Sequence, residues 1–190
     1  MKLQIDNNDG LGPIDYTSAI DGSIAPLVIR KLNQPAELRL SLVANGPAFL
    51  VPAAAARIIL ELSDGQVIFT GYLTGSPAFE YLGWGEQGPA YRYDLLAQSD
   101  EALLNEKRLP ERCPFVERAA GDALRQLTQD LLPGVFNTSQ VQDLDKMAWW
   151  APDPQKNWAQ EAAEIAIQAR ASYYLLNGAM VFSPVGTNTY

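Results

Sequence analysis

Residues 57–74, RIILELSDGQVIFTGYLT, decide how the rest of the chain is read. Two runs rich in branched and aromatic side chains flank Asp64-Gly65, the dipeptide that best tolerates the two positive φ angles of a type I′ turn. With that pair as the loop, Leu62 faces Val67, Leu60 faces Phe69 and Ile58 faces Gly71, which makes one face almost purely apolar. The other face carries Ser63/Gln66, Glu61/Ile68, Ile59/Thr70 and Arg57/Tyr72, a mixed surface suited to half-burial. Gly71, inside the second strand, marks a bulge, a bend or a close backbone approach. A ribbon with one dry face and a bend predicts a sheet that curves toward closure.

Composition bounds what such a sheet can serve. The chain has 190 residues, 47% of them hydrophobic and 19% charged, enough to bury a core as one domain or two small ones. A net charge of −8 argues against binding the backbone of duplex DNA, which needs clustered Lys and Arg. The single cysteine, Cys113, allows no intramolecular disulfide and no thiolate zinc knuckle. No run approaches the ~18 apolar residues of a membrane span. The start, MKLQIDNNDG, lacks the shape of a signal peptide, so the chain is expected to be made in a cytoplasm.

Outward from the ribbon, residues 36–43 alternate strictly. Leu38, Leu40 and Leu42 point one way and Glu37, Arg39 and Ser41 the other, as in a half-buried strand. Residues 1–5 read as a short edge strand and 27–30 as a short apolar run. The segment FLVPAAAARI reads as an extended entry to the ribbon because of Pro52. Residues 75–88 read as a Gly- and Pro-rich loop, and 91–97 return as a strand. Five or six short strands joined by Gly and Asn turns predict a small antiparallel barrel or sandwich. After Ser99 the character changes. Ser99 as N-cap, with Asp100 and Glu101 in the first turn and Lys107-Arg108 at the end, predicts a helix matched to its dipole. A second helix is expected from Pro114 to about Leu132, with Val116, Ala120, Ala123, Leu127 and Leu131 on its buried face. Residues 135–157 read as a polar linker. Asn157 with Gln160 forms a capping box for a third helix, whose buried stripe is Trp158, Ala162, Ile165, Ala166 and Ala169. A final hairpin turns at Asn177-Gly178.

Chemical motifs fail their context tests. Gly83, Gly85 and Gly88 match the dinucleotide pattern GxGxxG, but Pro89 and a strand follow where a phosphate-binding helix must open. No Walker loop, HExxH, GxSxG or CxxC pair is present. The chain has no histidine, so acid–base work would fall to carboxylates such as Glu161/Glu164 or Asp143/Asp145. The first pair has the i, i+3 spacing of a solvated helix face. No enzyme activity, cofactor or metal is expected. Trp149, Trp150 and Trp158 with Tyr173 and Tyr174 are dense enough for a sugar platform, though such residues more often anchor a core or an interface.

The order of elements carries a resemblance. A strand LNQPAELRLSLV, the ribbon, a strand opening into YRYDLLAQSDEALLNEKRL, a helix, and a capped helix running into ARASYYLLNGAMVFSP resemble the N-terminal part of phage tail hub proteins. These include baseplate hubs, VgrG-like spikes and tail-tip proteins. The resemblance implies an α+β chain: a small antiparallel β-barrel over 1–108, tube-like, followed by an α+β domain with two helices and a hairpin over 109–190. It implies a ring, commonly a trimer, that continues the tail tube in a virion assembled in the bacterial cytoplasm. Implied partners are other copies of the chain, a tail tube or distal tail protein, and a spike, fibre or tape-measure protein. DNA would be passing cargo only, and no membrane insertion is implied. An acidic lumen would repel that cargo, in keeping with the charge. Family hubs carry a second barrel-like domain beyond this part, so the chain reads as a piece of a longer hub or as a short version. Candidate interface residues are Glu61, Ile68, Thr70, Tyr72, Trp84, Glu86, Trp149 and Trp150. The alternative is a carbohydrate- or receptor-binding module using exposed tryptophans.

Overall fold

A computed structural model describes residues 1–85, 87–111 and 113–187. The ribbon forms as β5 (Arg57–Glu61) and β6 (Val67–Leu73). Its outer register is the expected one, Arg57 on Tyr72, Ile58 on Gly71, Ile59 on Thr70 and Leu60 on Phe69, but Glu61 then pairs with Val67 and Ile68 is skipped. The turn explains the slip. Gly65 has a φ of 85° while Asp64 does not take a positive φ, so the loop is no type I′ turn. Gly65 N–H donates to the Leu62 carbonyl and Leu62 N–H to the Gln66 carbonyl, a longer loop closed by one left-handed glycine. The Asp64 carboxylate accepts from Gln66 N–H and stabilises that form.

The contacts divide the chain into two compact units, Met1–Ile29 with Ala36–Ser99, and Arg30–Pro35 with Asp100–Tyr190. The first unit adds β1 (Lys2–Asp6), β2 (Ile14–Asp15), β3 (Leu27–Ile29), β4 (Glu37–Asn45), β7 (Ala78–Gly85) and β8 (Gly88–Ser99) to the ribbon. The sheet order is β2-β1-β5-β6-β8-β4-β3, all antiparallel, with β7 also on β8. Strand β1, expected at an edge, is flanked by β2 and β5. Leu38, Leu40 and Leu42 of β4 meet Leu3, Ile5, Ile58, Leu60, Phe69 and Leu95 in one core. Among the described residues no ladder joins β2 to β3, so the pairing is that of an open sheet where the sequence predicted a closed barrel. Strand β2 pairs only with β1 and β3 only with β4 among the described residues. What meets β4 is the turn after β2: Ile20 bridges Leu42, and Asp21 N–H donates to the Ser41 carbonyl.

The second unit holds α1 (Glu101–Asn105), β9 (Phe115–Ala119), α2 (Ala120–Leu131), β10 (Asn137–Val141), β11 (Lys146–Trp150), α3 (Trp158–Gln168), β12 (Ala171–Leu176) and β13 (Ala179–Pro184). Two predictions fail here. The stretch after Pro114 begins as a strand, and Val116 is exposed, because β9 pairs antiparallel with β11 before the helix starts at Ala120. The expected linker supplies two strands, β11 and β10, the latter parallel to β13. Asp100 and Glu101 also do other work than matching a dipole. Both are buried and turn to the final hairpin, Asp100 accepting from Gly178 N–H and Glu101 from Leu175 N–H. Helix α3 starts as read: Gln160 N–H donates to Asn157 Oδ1 at 3.0 Å and Asn157 N–H to Gln160 Oε1 at 2.9 Å. Asn177 and Gly178 both take positive φ, the type I′ geometry predicted for the last hairpin.

Candidate functional site

Strand β8 is the spine of the first unit. Along one edge it pairs β4 from Ala90 to Gln98; along the other it pairs β6 at residues 97–99 and then β7 at residues 88–94. The segment read as a loop is therefore mostly strand. Glycines and a proline made it look irregular, yet Phe79-x-Tyr81 and Tyr91-x-Tyr93 alternate with the period of a strand. That was the missed signal. Gly83 and Gly88, with φ of 125° and 116°, belong to this hairpin, and no helix follows to make a phosphate site.

The ladder gives the hairpin two unlike faces. Phe79 lies opposite Tyr93, Tyr81 opposite Tyr91 and, after an irregularity at Leu82, Trp84 opposite Pro89. These make an aromatic strip. Tyr81 and Tyr91 ring centres are 5.4 Å apart, and Phe79 and Tyr91 meet edge to face at 6.1 Å. The strip is tied to the core: Tyr93 stacks on Phe49 at 5.6 Å, and Phe49 meets Tyr16 edge to face at 5.7 Å. The Tyr16 hydroxyl donates to the Leu50 carbonyl at 2.8 Å, and burial pushes its phenol up, so it remains a donor. Further out the strip is open to solvent. Trp84 is 79% exposed, Phe79 71% and Tyr81 54%, beside exposed Leu50 and Val51. Val51, Pro52, Pro77, Phe79, Tyr91 and Tyr93 line a cavity of about 530 Å³ there.

The opposite face is polar at the hairpin base, where Arg92 pairs with Glu80 and lies near Asp94, itself bonded by the Ser41 hydroxyl at 2.6 Å. Beside it runs a mostly aliphatic groove of about 630 Å³, walled by Ile24, Leu27, Ala78 and Leu96, with Arg39, Ser41 and Asp94 among its polar lining. The sheet thus carries an aromatic surface on one side and an aliphatic groove on the other. Contiguous exposed apolar surface of this kind marks sites of protein or ligand contact.

The residues singled out from sequence scatter. Thr70 is fully buried, and Glu61, Ile68 and Tyr72 are half-buried, Glu61 lying 3.8 Å from Lys2 Nζ. Trp84 is the most exposed member of the strip, and Glu86 lies outside the described residues. In the second unit, Trp149 is 62% exposed, whereas Trp150 is 3% exposed and packs on Phe115 at 5.3 Å. Trp158 is buried too, its indole N–H donating to Thr128 Oγ1, so no tryptophan platform forms there. Glu161, read as half of a solvated pair with Glu164, is buried: its Oε1 accepts from Asp153 N–H at 2.9 Å, and desolvation pushes its carboxyl up.

No protein-family model and no curated protein matches the chain. Solved structures do. The chain is similar to the 43 kDa tail protein of prophage MuSo2 from Shewanella oneidensis, with a TM-score of 0.67 and 11% identity over 96% of this chain and 54% of that one. It is similar to prophage tail protein gp18 from Listeria monocytogenes EGD-e, with a TM-score of 0.69 and 10% identity over 97% and 51% of the two chains. A type VI secretion component of E. coli, described as structurally similar to T4 bacteriophage tail proteins gp27 and gp5, gives a TM-score of 0.56 and 10% identity over 86% and 47%. The chain spans about half the length of these structures. At such identities the likeness is one of fold, the fold shared by these prophage tail proteins and the type VI secretion component.

Proposed function

We propose that this chain is a structural component of a phage tail tip or baseplate hub, in which copies form a ring that continues the tail tube and anchors the tip or spike. The observation that carries the reading is the fold match over nearly the whole chain to prophage tail proteins. The open aromatic strip supports it. A rigid three-stranded surface with its aromatics tied to the core suits a protein partner, since it meets that partner at little entropic cost.

In this reading residues 1–108 form the tube-like part and 109–190 the α+β part. The sheet works as a barrel closed where the turn after β2 meets β4. Glu61, Ile68 and Tyr72, with Trp84 and Trp149, face neighbours. The net charge of −8 keeps a lumen from holding DNA that passes through it. Partners are further copies, a tube or distal tail protein, and a spike, fibre or tape-measure protein, all within the virion tail. The role is mechanical, without catalysis.

Trp84, at 79% exposure, favours one second reading, a carbohydrate- or receptor-binding module. Electron microscopy of the concentrated protein separates the two. Rings with a central hole are expected. A monomer whose tryptophan fluorescence shifts with glycans would replace the hub reading with the binding module.

A further inference from the structure

We infer that copies of this chain join front to back, the aromatic strip of one seating in the aliphatic groove of the next. The inference rests on the ring reading above and names the contact that would build it. Both halves are present on one chain and neither is covered. The strip presents Phe79, Tyr81 and Trp84; the groove, about 630 Å³, is walled by Ile24, Leu27 and Leu96.

Geometry excludes self-filling. The ladder places Phe79, Tyr81 and Trp84 on one face of the β7–β8 hairpin, while Ala78 and Asp94, which line the groove, pair on the other. Strip and groove are thus opposite sides of one sheet, and Trp84 lies six residues, about 20 Å of strand, beyond Ala78. A rigid sheet cannot fold onto its own back. A second copy can meet it there, and because the two surfaces differ, the contact is heterologous and repeats from copy to copy.

Size and chemistry agree with that occupant. Aromatic side chains bury roughly 150–250 Å² each when fully covered, and with 54–79% of each still exposed Phe79, Tyr81 and Trp84 offer roughly 300–500 Å², to which Leu50 and Val51 add, more than half of the ~800 Å² per partner of a standard interface. The hydroxyls of Tyr81 and Tyr91 have no hydrogen-bond partner among the described residues, and the groove offers the Asp94 carboxylate and the Arg39 guanidinium. The charges on the groove side are paired, Arg92 with Glu80 and Arg39 with Glu37, so the uncharged strip meets the groove without burying an unpaired charge.

The test uses the whole chain and two surface variants, Trp84→Ala in the strip and Leu96→Arg in the groove, with circular dichroism checking that each folds. Sedimentation should show wild type assembling with concentration and each variant weakened by tenfold or more, as for loss of an interface anchor. Mixing the variants leaves one intact strip and one intact groove, so dimers should return and nothing larger. A mixture that stays monomeric, or a variant that assembles like wild type, overturns the contact. A wild-type dimer indifferent to Leu96→Arg would mean strip-on-strip pairing and overturns it too. The two readings separate by microscopy: rings that survive both variants keep the ring and discard the contact. Open filaments lost in both variants keep the contact and discard the ring. A wild type monomeric throughout discards both.

Discussion

Gly71 shows how much one hydrogen atom can decide. A Cβ there would lie 2.0 Å from the Gln98 carbonyl oxygen and 2.8 Å from Ser99 Cα, backbone that cannot step aside. Of the three roles its place in a strand allowed, close backbone approach is the one realised: the glycine lets β6 reach the end of β8. Gly71→Ala is expected to cost about 3 kcal/mol, read as a lower urea midpoint at unchanged slope. Two tryptophans make a second test. Trp158 donates to Thr128 Oγ1, whereas Trp150 Nε1 is buried with no hydrogen-bond partner among the described residues. Both replacements by Phe shrink a core ring, but only Trp158→Phe takes a hydrogen bond from a buried hydroxyl, that of Thr128, which keeps its bond to the Leu124 carbonyl. Trp158→Phe should therefore be the more costly in thermal unfolding, by about 1 kcal/mol. Their neighbours along the sequence look alike; only tertiary contacts separate them.

At the scale of elements, local signals were reliable where the bonds are local. The capping box of α3 needs only residues 157–160, and it forms in full. Asn157→Ala removes the side-chain acceptor and should cost about 1 kcal/mol, seen as a lower melting temperature. Glu161, one turn on, illustrates the opposite. Its spacing from Glu164 fits a wet helix face, but the 151–156 segment covers it, with Asp153 N–H bonded to Oε1, Lys156 Nζ 3.8 Å from that oxygen, and Glu164 paired to the same lysine. Because burial raises the Glu161 carboxyl above its ordinary value, the folded chain holds this proton more tightly than the unfolded one. Its contribution to stability is complete below the ordinary carboxylate range and is lost as pH rises through the raised value. Glu161→Gln should flatten that part of the stability–pH curve, measured by urea unfolding between pH 4 and pH 7. It should also be no less stable than wild type at pH 7. The β7–β8 hairpin lies between these cases: its aromatic alternation is written in the sequence, but its turn glycines disguised two strands as a loop.

For the whole molecule, association should respond to salt in a way that reports its chemistry. Copies carrying a charge of −8 repel, while the strip and groove that would join them are apolar. Raising salt from 0.1 M to 0.5 M shortens the screening length and should strengthen assembly in sedimentation; a contact made of exposed ion pairs would weaken instead. The sequence by itself determined the α+β class, the β5–β6 ribbon and most of its pairing, the leucine face of β4, the start of α3 and the last hairpin. Each follows from periodicity, a cap or a turn, which act over a few residues. It did not determine that the sheet ladder stays open, that residues 135–157 supply two strands, that Trp150 and Glu161 lie inside, or that opposite sides of one sheet carry an aromatic strip and an aliphatic groove. Those depend on which segments meet beyond a single turn or strand, from the 151–156 segment over Glu161 to strands tens of residues apart, where burial and backbone pairing outweigh local preference.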